Sequence, residues 1–209
     1  RSRGLGDVYK RQMEHVVKKG ENTQEVKYNK WAILFCVVTM TFMSCIDGSI
    51  VNVALPKISY DLNKPILDTQ WIVTTYLMVI SALVLLCGRI GDIKGKCKVF
   101  KVGVLIFTIG SFFSGVSKTL SLLIVSRAIQ GVGGACAMAT GMGIITAFFN
   151  EKERGKAMGL SASAVAMGVM VGPALGGILV SIRWDLIFWI NVPTVSYTHL
   201  RAHETEADL

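Results

Sequence analysis

Two ionisable residues stand inside long apolar runs of this 209-residue chain. Asp47 is the only charged residue in the segment 31–55, and Arg127 is the only one in the segment 119–149. A charge inside a membrane span costs about 2.5–3.5 kcal/mol on insertion scales, so it persists where it faces a cavity or a partner. We interpret Asp47 and Arg127 as proton-coupling or substrate-binding residues. Two structural alternatives stay open: an arginine bonded to neighbouring carbonyls, and an aspartate that joins two helices.

The two charges lie at matching depths. Asp47 precedes Pro56, the predicted outer end of the first apolar segment, by nine residues, and Arg127 follows Thr119, the outer end of the fourth, by eight. At about 1.5 Å per residue, both lie roughly 12–14 Å below the outer surface. We therefore expect them to share one cavity, where an aspartate is a candidate proton carrier.

The elements that position these residues are apolar segments long enough to span a bilayer, which takes about 20 residues. The sequence contains five complete segments and an incomplete sixth that begins near Leu186 and ends after Pro193; the five run over 31–55, 69–88, 99–117, 119–149 and 157–182. Only 17% of residues are charged, against about 25% in soluble domains. The sequence predicts an all-α polytopic membrane protein.

The basic residues predict the orientation. If the N-terminus lies inside, twelve lysines and arginines fall at the inner ends of the segments and four at the outer ends. Basic residues concentrate on the cytoplasmic side of membrane proteins, so we expect a multi-pass protein of the cell membrane with a cytoplasmic N-terminus. The net charge of +8 follows this topology, and we expect no nucleic-acid partner.

Small residues mark one face of two segments. In the fifth, glycines recur every fourth residue beside a proline that removes one helix hydrogen bond and bends or loosens the helix; the residues are Gly168, Gly172, Pro173, Gly176 and Gly177. In the fourth, the same spacing joins Gly131, Ala135, Ala139 and Gly143. Such faces let another helix approach closely.

The two ends of the chain differ from the rest. We expect residues 1–12 to be a non-native leader before Met13, and residues 195–209 to be a non-native tail, with a genuine polar tail as the alternative. Between them we assign 13–30 to a cytoplasmic N-terminus and 31–194 to a partial transmembrane helix bundle.

Catalysis and metal binding are not expected. The five cysteines have no metal-site spacing, and the three histidines lie outside the complete segments, at His15, His199 and His203. A membrane-embedded enzyme would need a constellation that no segment contains. We predict no enzyme activity, no metal and no cofactor.

Four motifs now match a known pattern, and the chain resembles the major facilitator superfamily, in particular its fourteen-span drug:proton antiporters. The segment from Asp47 to Pro56, with Asn52, resembles the first-span signature, with Ser49 in place of threonine. The turn after the second segment resembles the loop signature at Gly88, Asp92 and Gly95, although Ile93 and Cys97 replace its usual basic residues.

The other two motifs lie on the small-residue segments. Arg127, Gln130 and Gly131 resemble the fourth-span motif, whose arginine is associated with proton coupling in the family. The run from Gly168 to Gly177 resembles the antiporter motif of span five. The run from Trp184 to Pro193 resembles the start of span six.

The resemblance implies an N-terminal helix bundle of a major facilitator fold that faces a second, similar bundle. It implies a proton-driven antiporter that exports amphipathic, cationic drugs, with Asp92 latching the inner gate. The implied partners are the lipid bilayer, a small amphipathic substrate and the C-terminal half; residues 13–193 alone are expected not to transport. The alternative is an importer or uniporter of the same superfamily for another small solute.

Overall fold

The computed structural model describes residues 30–194, and these residues form helices without strands. Five helices are long and apolar enough to cross a membrane, which confirms the all-α fold and the five complete spans. In chain order the helices are α1 (Lys30–Asp61), α2 (Ile66–Thr69), α3 (Trp71–Lys94), α4 (Lys96–Val116), α5 (Leu120–Phe148), α6 (Glu151–Ile182) and α7 (Leu186–Trp189). The predicted leader and tail, and all of the predicted cytoplasmic segment except Lys30, lie outside the described residues.

The incomplete sixth segment forms two short helical pieces. It begins with α7, and a further helical turn follows at 191–194. The sequence predicts that this segment begins near Leu186, where α7 begins.

Several helices extend beyond the apolar segments that predicted them. α1 continues through Pro56 to Asp61, where Lys57 Nζ lies 2.7 Å from Asp61 Oδ1. α6 begins at Glu151, ahead of the uncharged segment 157–182. Pro56, the predicted outer end of the first apolar segment, thus lies within α1, because hydrophobicity marks the part of a helix suited to lipid and not the length over which its backbone is hydrogen-bonded.

The connection between α3 and α4 is shorter than predicted. α3 extends to Lys94, so Gly88 lies within the helix and not in a loop. A single residue, Gly95, reverses the chain with a φ of 97°, a conformation that glycine adopts without steric cost. The glycine that the turn requires is therefore Gly95.

Glycine allows α4 and α5 to pack at backbone distance. A Cβ added at Gly103 on α4 would lie 2.9 Å from the carbonyl oxygen of Gly133 on α5. One added at Gly110 would lie 2.6 Å from the backbone nitrogen of Gln130. Because real Cβ contacts are longer than this, larger residues at these positions would push the helices apart.

The five long helices differ in how far they are enclosed. About 50% of the most apolar stretch is buried in α1, α4 and α5, against 17% in α3 and α6. α5 contacts both α3 and α4, while α6 packs mainly on α1. α1, α4 and α5 thus form the interior of the described bundle, and α3 and α6 flank it.

Candidate functional site

An ion pair joins α1 and α5, two of the three interior helices. Arg127 Nη1 donates to Asp47 Oδ2 at 2.6 Å, and both side chains are fully buried. The structure therefore brings together the two charges that the sequence predicted to share one site. A charged pair removed from water needs further hydrogen bonds to satisfy its remaining polar atoms.

Two amides provide such bonds at the other carboxylate oxygen. Gln130 Nε2 donates to Asp47 Oδ1 at 2.9 Å, and Asn191 Nδ2 donates to the same atom at 2.7 Å. Gln130 also accepts from Arg127 Nη1 and donates to Ser111 Oγ on α4 at 2.8 Å. We call Asp47, Ser111, Arg127, Gln130 and Asn191 the polar cluster; each of them is fully buried.

Arg127 has further contacts that fix its guanidinium. Its Nε donates to the carbonyl oxygen of Ile72 on α3 at 3.4 Å. Its guanidinium carbon lies 4.1 Å from the ring centre of Tyr76 and 5.7 Å from that of Phe188, within the range of cation–π attraction. The structural alternative for Arg127, bonding to a neighbouring carbonyl, thus holds alongside the ion pair.

The chemistry open to this cluster is proton exchange at a carboxylate. Asp47 is the single acidic group of the cluster. Arg127 compensates its negative charge, and the amides of Gln130 and Asn191 donate hydrogen bonds to it. A proton on Asp47 would remove the negative charge that these donors stabilise. The protonation of this one residue would therefore change the ion pair between α1 and α5.

Two members of the polar cluster were not predicted. Asn191 lies in the apolar run of the sixth segment, and the same signal that marked Asp47 marks it: one polar side chain among apolar neighbours. Ser111 carries no comparable signal, because serines are common in membrane helices and bond to their own backbone. The contact of Tyr76 with Arg127 was not predicted either, since one aromatic residue in an apolar span does not stand out from its neighbours.

The remaining first-span motif residues lie away from the polar cluster. Asn52 is exposed and donates to the carbonyl oxygen of Gly48 at 3.2 Å. Pro56 is also exposed, within α1. The structure does not bring these two residues to Asp47, and their role stays a prediction.

The predicted inner-gate residues lie at the junction of α3 and α4. Asp92 has a half-exposed side chain, and its Oδ1 lies 3.5 Å from Lys96 Nζ. Gly88 faces α5, where an added Cβ would lie 3.9 Å from Ala139 Cβ. The partner that Asp92 would latch in a second bundle belongs to no described residue, so this role also stays a prediction.

The predicted glycine face of α6 packs on α1. An added Cβ at Gly168 would lie 2.8 Å from Cys45 Cβ, and one at Gly176 would lie 2.9 Å from Cγ1 of Ile50. One at Gly172 would overlap Ser49 Oγ. These three glycines are buried, and we call them the glycine face.

The other two residues of that motif point elsewhere. Gly177 has no atom within 4 Å of an added Cβ, and Pro173 is exposed. α6 remains helical through Pro173, so the proline does not end the helix. Gly131 of the fourth-span motif faces α3, where an added Cβ would lie 3.1 Å from the carbonyl oxygen of Tyr76.

Comparison with known proteins identifies the family. The sequence profile of the Major Facilitator Superfamily matches residues 37–195. The chain belongs to this superfamily. The crystal structure of a bacterial homolog of the human lysosomal transporter Spinster, inward-facing and unoccupied, has the same fold, with a TM-score of 0.68 at 17% identity. That match covers 90% of this chain and 44% of the solved one.

Curated relatives are transporters of several kinds. The chain is 43% identical over 165 residues to the riboflavin transporter RibZ of Clostridioides difficile, covering 78% of this chain and 36% of that protein. It is 33% identical over 173 residues to the multidrug transporter protein MdtP of Bacillus subtilis, covering 82% and 32%. It is 32% identical over 164 residues to the tetracenomycin C resistance and export protein of Streptomyces glaucescens, covering 78% and 30%. The chain thus spans about a third of the length of these relatives.

Proposed function

We propose that the transporter containing this chain exports amphipathic, cationic compounds in exchange for protons, and that Asp47 carries the proton. The observation that supports this proposal is the burial of Asp47 between Arg127, Gln130 and Asn191 inside a membrane bundle. An intramembrane carboxylate with a named partner is typical of a proton pathway. We further propose that it lies in the cell membrane with its N-terminus in the cytoplasm, driven by the proton gradient and without a cofactor.

The polar cluster suggests how exchange would proceed. The carboxylate of Asp47, paired with Arg127, would accept either a proton or the positive charge of a substrate near the site, but not both. A proton on Asp47 weakens its contact with Arg127, and loss of that proton restores the contact. Because the two ligands compete for one carboxylate, outward movement of substrate is coupled to inward movement of a proton.

The family supplies the second requirement, a change of access. Superfamily members are built from two bundles that rock around a central site, and the chain contributes one of them. The glycine face gives α6 a smooth contact with α1, and Asp92, near the end of α3, would meet the opposite bundle. The names of the multidrug and tetracenomycin C transporters support an exporter.

A second candidate substrate class has its own support. The riboflavin transporter is 43% identical to the chain, above the 33% of the multidrug transporter. Riboflavin has a planar aromatic ring system and no net charge at neutral pH, so it would not compete with a proton for Asp47. This relative favours the alternative of an importer or uniporter for a small aromatic solute.

A transport assay separates the two candidates. The complete transporter is placed in liposomes with an imposed proton gradient, and the movement of ethidium and of riboflavin is followed by fluorescence. The proposal expects gradient-dependent ethidium transport that Asp47→Asn abolishes. Riboflavin movement that is independent of the gradient and unchanged in Asp47→Asn, with no ethidium transport, would replace it with the alternative.

A further inference from the structure

The side-chain amide of Asn191, in the segment after α7, contacts α1 inside the bundle. Asn191 is fully buried, and its Nδ2 lies 2.7 Å from Asp47 Oδ1. This contact joins positions 144 residues apart in the chain. Among the described residues, its Oδ1 has no hydrogen-bond partner. The amide thus presents its donor side to a carboxylate, which when ionised can only accept.

The hydrogen bonds to Asp47 are distributed unevenly between its two oxygens. Oδ1 accepts from Gln130 and from Asn191, whereas Oδ2 accepts from Arg127 alone among the described residues. A carboxylate has about four acceptor positions, two on each oxygen. Oδ1 is therefore saturated, and the free position is on Oδ2, beside the arginine.

We propose that Asn191 is a positioning residue that stabilises the ionised form of Asp47 and directs the incoming proton to Oδ2. This inference rests on the proposed proton coupling at Asp47. In the step, a hydronium ion transfers one proton to Oδ2 and becomes water, and the carboxylate becomes a neutral carboxylic acid. The ion pair with Arg127 is lost, while the bond from Asn191 to Oδ1 remains because a carbonyl oxygen still accepts.

The consequence is an asymmetry between the two oxygens of Asp47. Protonation at Oδ2 removes the ion pair with Arg127, whereas the amide bonds to Oδ1 from Gln130 on α5 and from Asn191 remain. The titratable groups close to Asp47 are Arg127 on α5 and Tyr76 on α3. From α4, α6 and the segment after α7, no charged side chain among the described residues contacts it.

The test measures the protonation of Asp47 directly. Infrared difference spectra of the complete transporter in detergent, recorded as pH is lowered, show the carbonyl band of a buried carboxylic acid, and Asp47→Asn identifies the share that belongs to Asp47. Asn191→Leu removes a donor to the charged form, so the midpoint of the band moves up by about one pH unit. Asn191→Asp sets two carboxyl groups beside each other, and the midpoint moves up further.

Controls separate the outcomes. Thr194→Val, in the same helical turn, removes a hydroxyl that bonds to the carbonyl oxygen of Ile190 and should leave the midpoint unchanged. If Asn191→Leu does not fold, Asn191→Asp and Asn191→Ser provide the same comparison. Midpoints equal to that of the unsubstituted protein in all Asn191 variants overturn this inference alone. Spectra in which no carbonyl band depends on Asp47 contradict proton coupling itself.

Discussion

Helix α1 is held by two contacts of opposite kind. On one side, Asp47 forms an ion pair with Arg127 and accepts from two amides, all fully buried. On another, Cys45, Ser49 and Ile50 lie against the glycine face of α6, where contact depends on shape. A proton can switch the first contact, because the attraction depends on charge. It cannot switch the second, which depends on shape and contains no ion pair.

The largest effect expected from this comparison lies in the ion pair. Arg127→Leu leaves the buried carboxylate of Asp47 without its cation, which costs about 3–5 kcal/mol in proteins. The double variant Asp47→Leu/Arg127→Leu leaves no uncompensated charge and should be more stable than Arg127→Leu alone. Thermal unfolding of the purified transporter in detergent measures both. If the double variant were destabilised by the sum of the losses measured for Arg127→Leu and for Asp47→Leu alone, the two side chains would act independently.

A smaller effect is expected at the glycine face. Gly172→Ala places a methyl group onto Ser49 Oγ, which cannot turn away freely because it also donates to the carbonyl oxygens of Cys45 and Ile46. Overpacking of this kind costs about 1–3 kcal/mol. Unfolding of Gly172→Ala should therefore occur at lower temperature, and by the same amount at pH 5 and pH 8, since no charge is involved.

Matched variants decide whether shape is the cause. Gly177→Ala, in the same motif, meets no atom within 4 Å and should be neutral. Ser49→Gly should restore the stability lost in Gly172→Ala, because it clears the atoms that the new methyl group overlaps. Equal losses for Gly172→Ala and Gly177→Ala would show that contact with α1 is not the cause, since alanine has the higher helix propensity at both positions.

The smallest effect is expected at the edge of the polar cluster. Ser111→Ala removes one of the two acceptors of Gln130 Nε2 and leaves the other, Asp47. The loss of one neutral hydrogen bond is worth about 0.5–1.5 kcal/mol. The unfolding temperature should fall slightly, and proton-coupled transport should persist. A loss as large as that of Arg127→Leu would mean that Gln130 cannot hold its position without Ser111.

The ion pair could be predicted from the sequence and Gln130 from the fourth-span motif, whereas Ser111 and the contact of Asn191 could not. A charge in an apolar run must find a partner, and the matching depths of Asp47 and Arg127 in their spans are enough to pair them. The partner of Asn191 depends on how the segment after α7 returns to α1, which no local pattern specifies. Ser111 resembles any other serine in a membrane helix.

Like the ion pair, the glycine face could be predicted from the sequence, because residues spaced four apart lie on one side of a helix. That spacing correctly groups Gly168, Gly172 and Gly176. The ends of the helices were harder to predict from the sequence, since α1 continues beyond Pro56 and α3 beyond Gly88. Hydrophobicity reports the suitability of a segment for lipid, and polar turns extend a helix without changing that signal.

The central claim, that Asp47 couples protons to substrate movement, is tested most directly by proton flux. Liposomes containing the complete transporter and a trapped pH-sensitive dye are exposed to ethidium without an imposed proton gradient. The account predicts that ethidium movement drives a proton flux in the unsubstituted protein, that Asp47→Glu retains part of it, and that Asp47→Asn abolishes it. An Asp47→Asn transporter that still moves protons with ethidium at the same ratio would contradict the account.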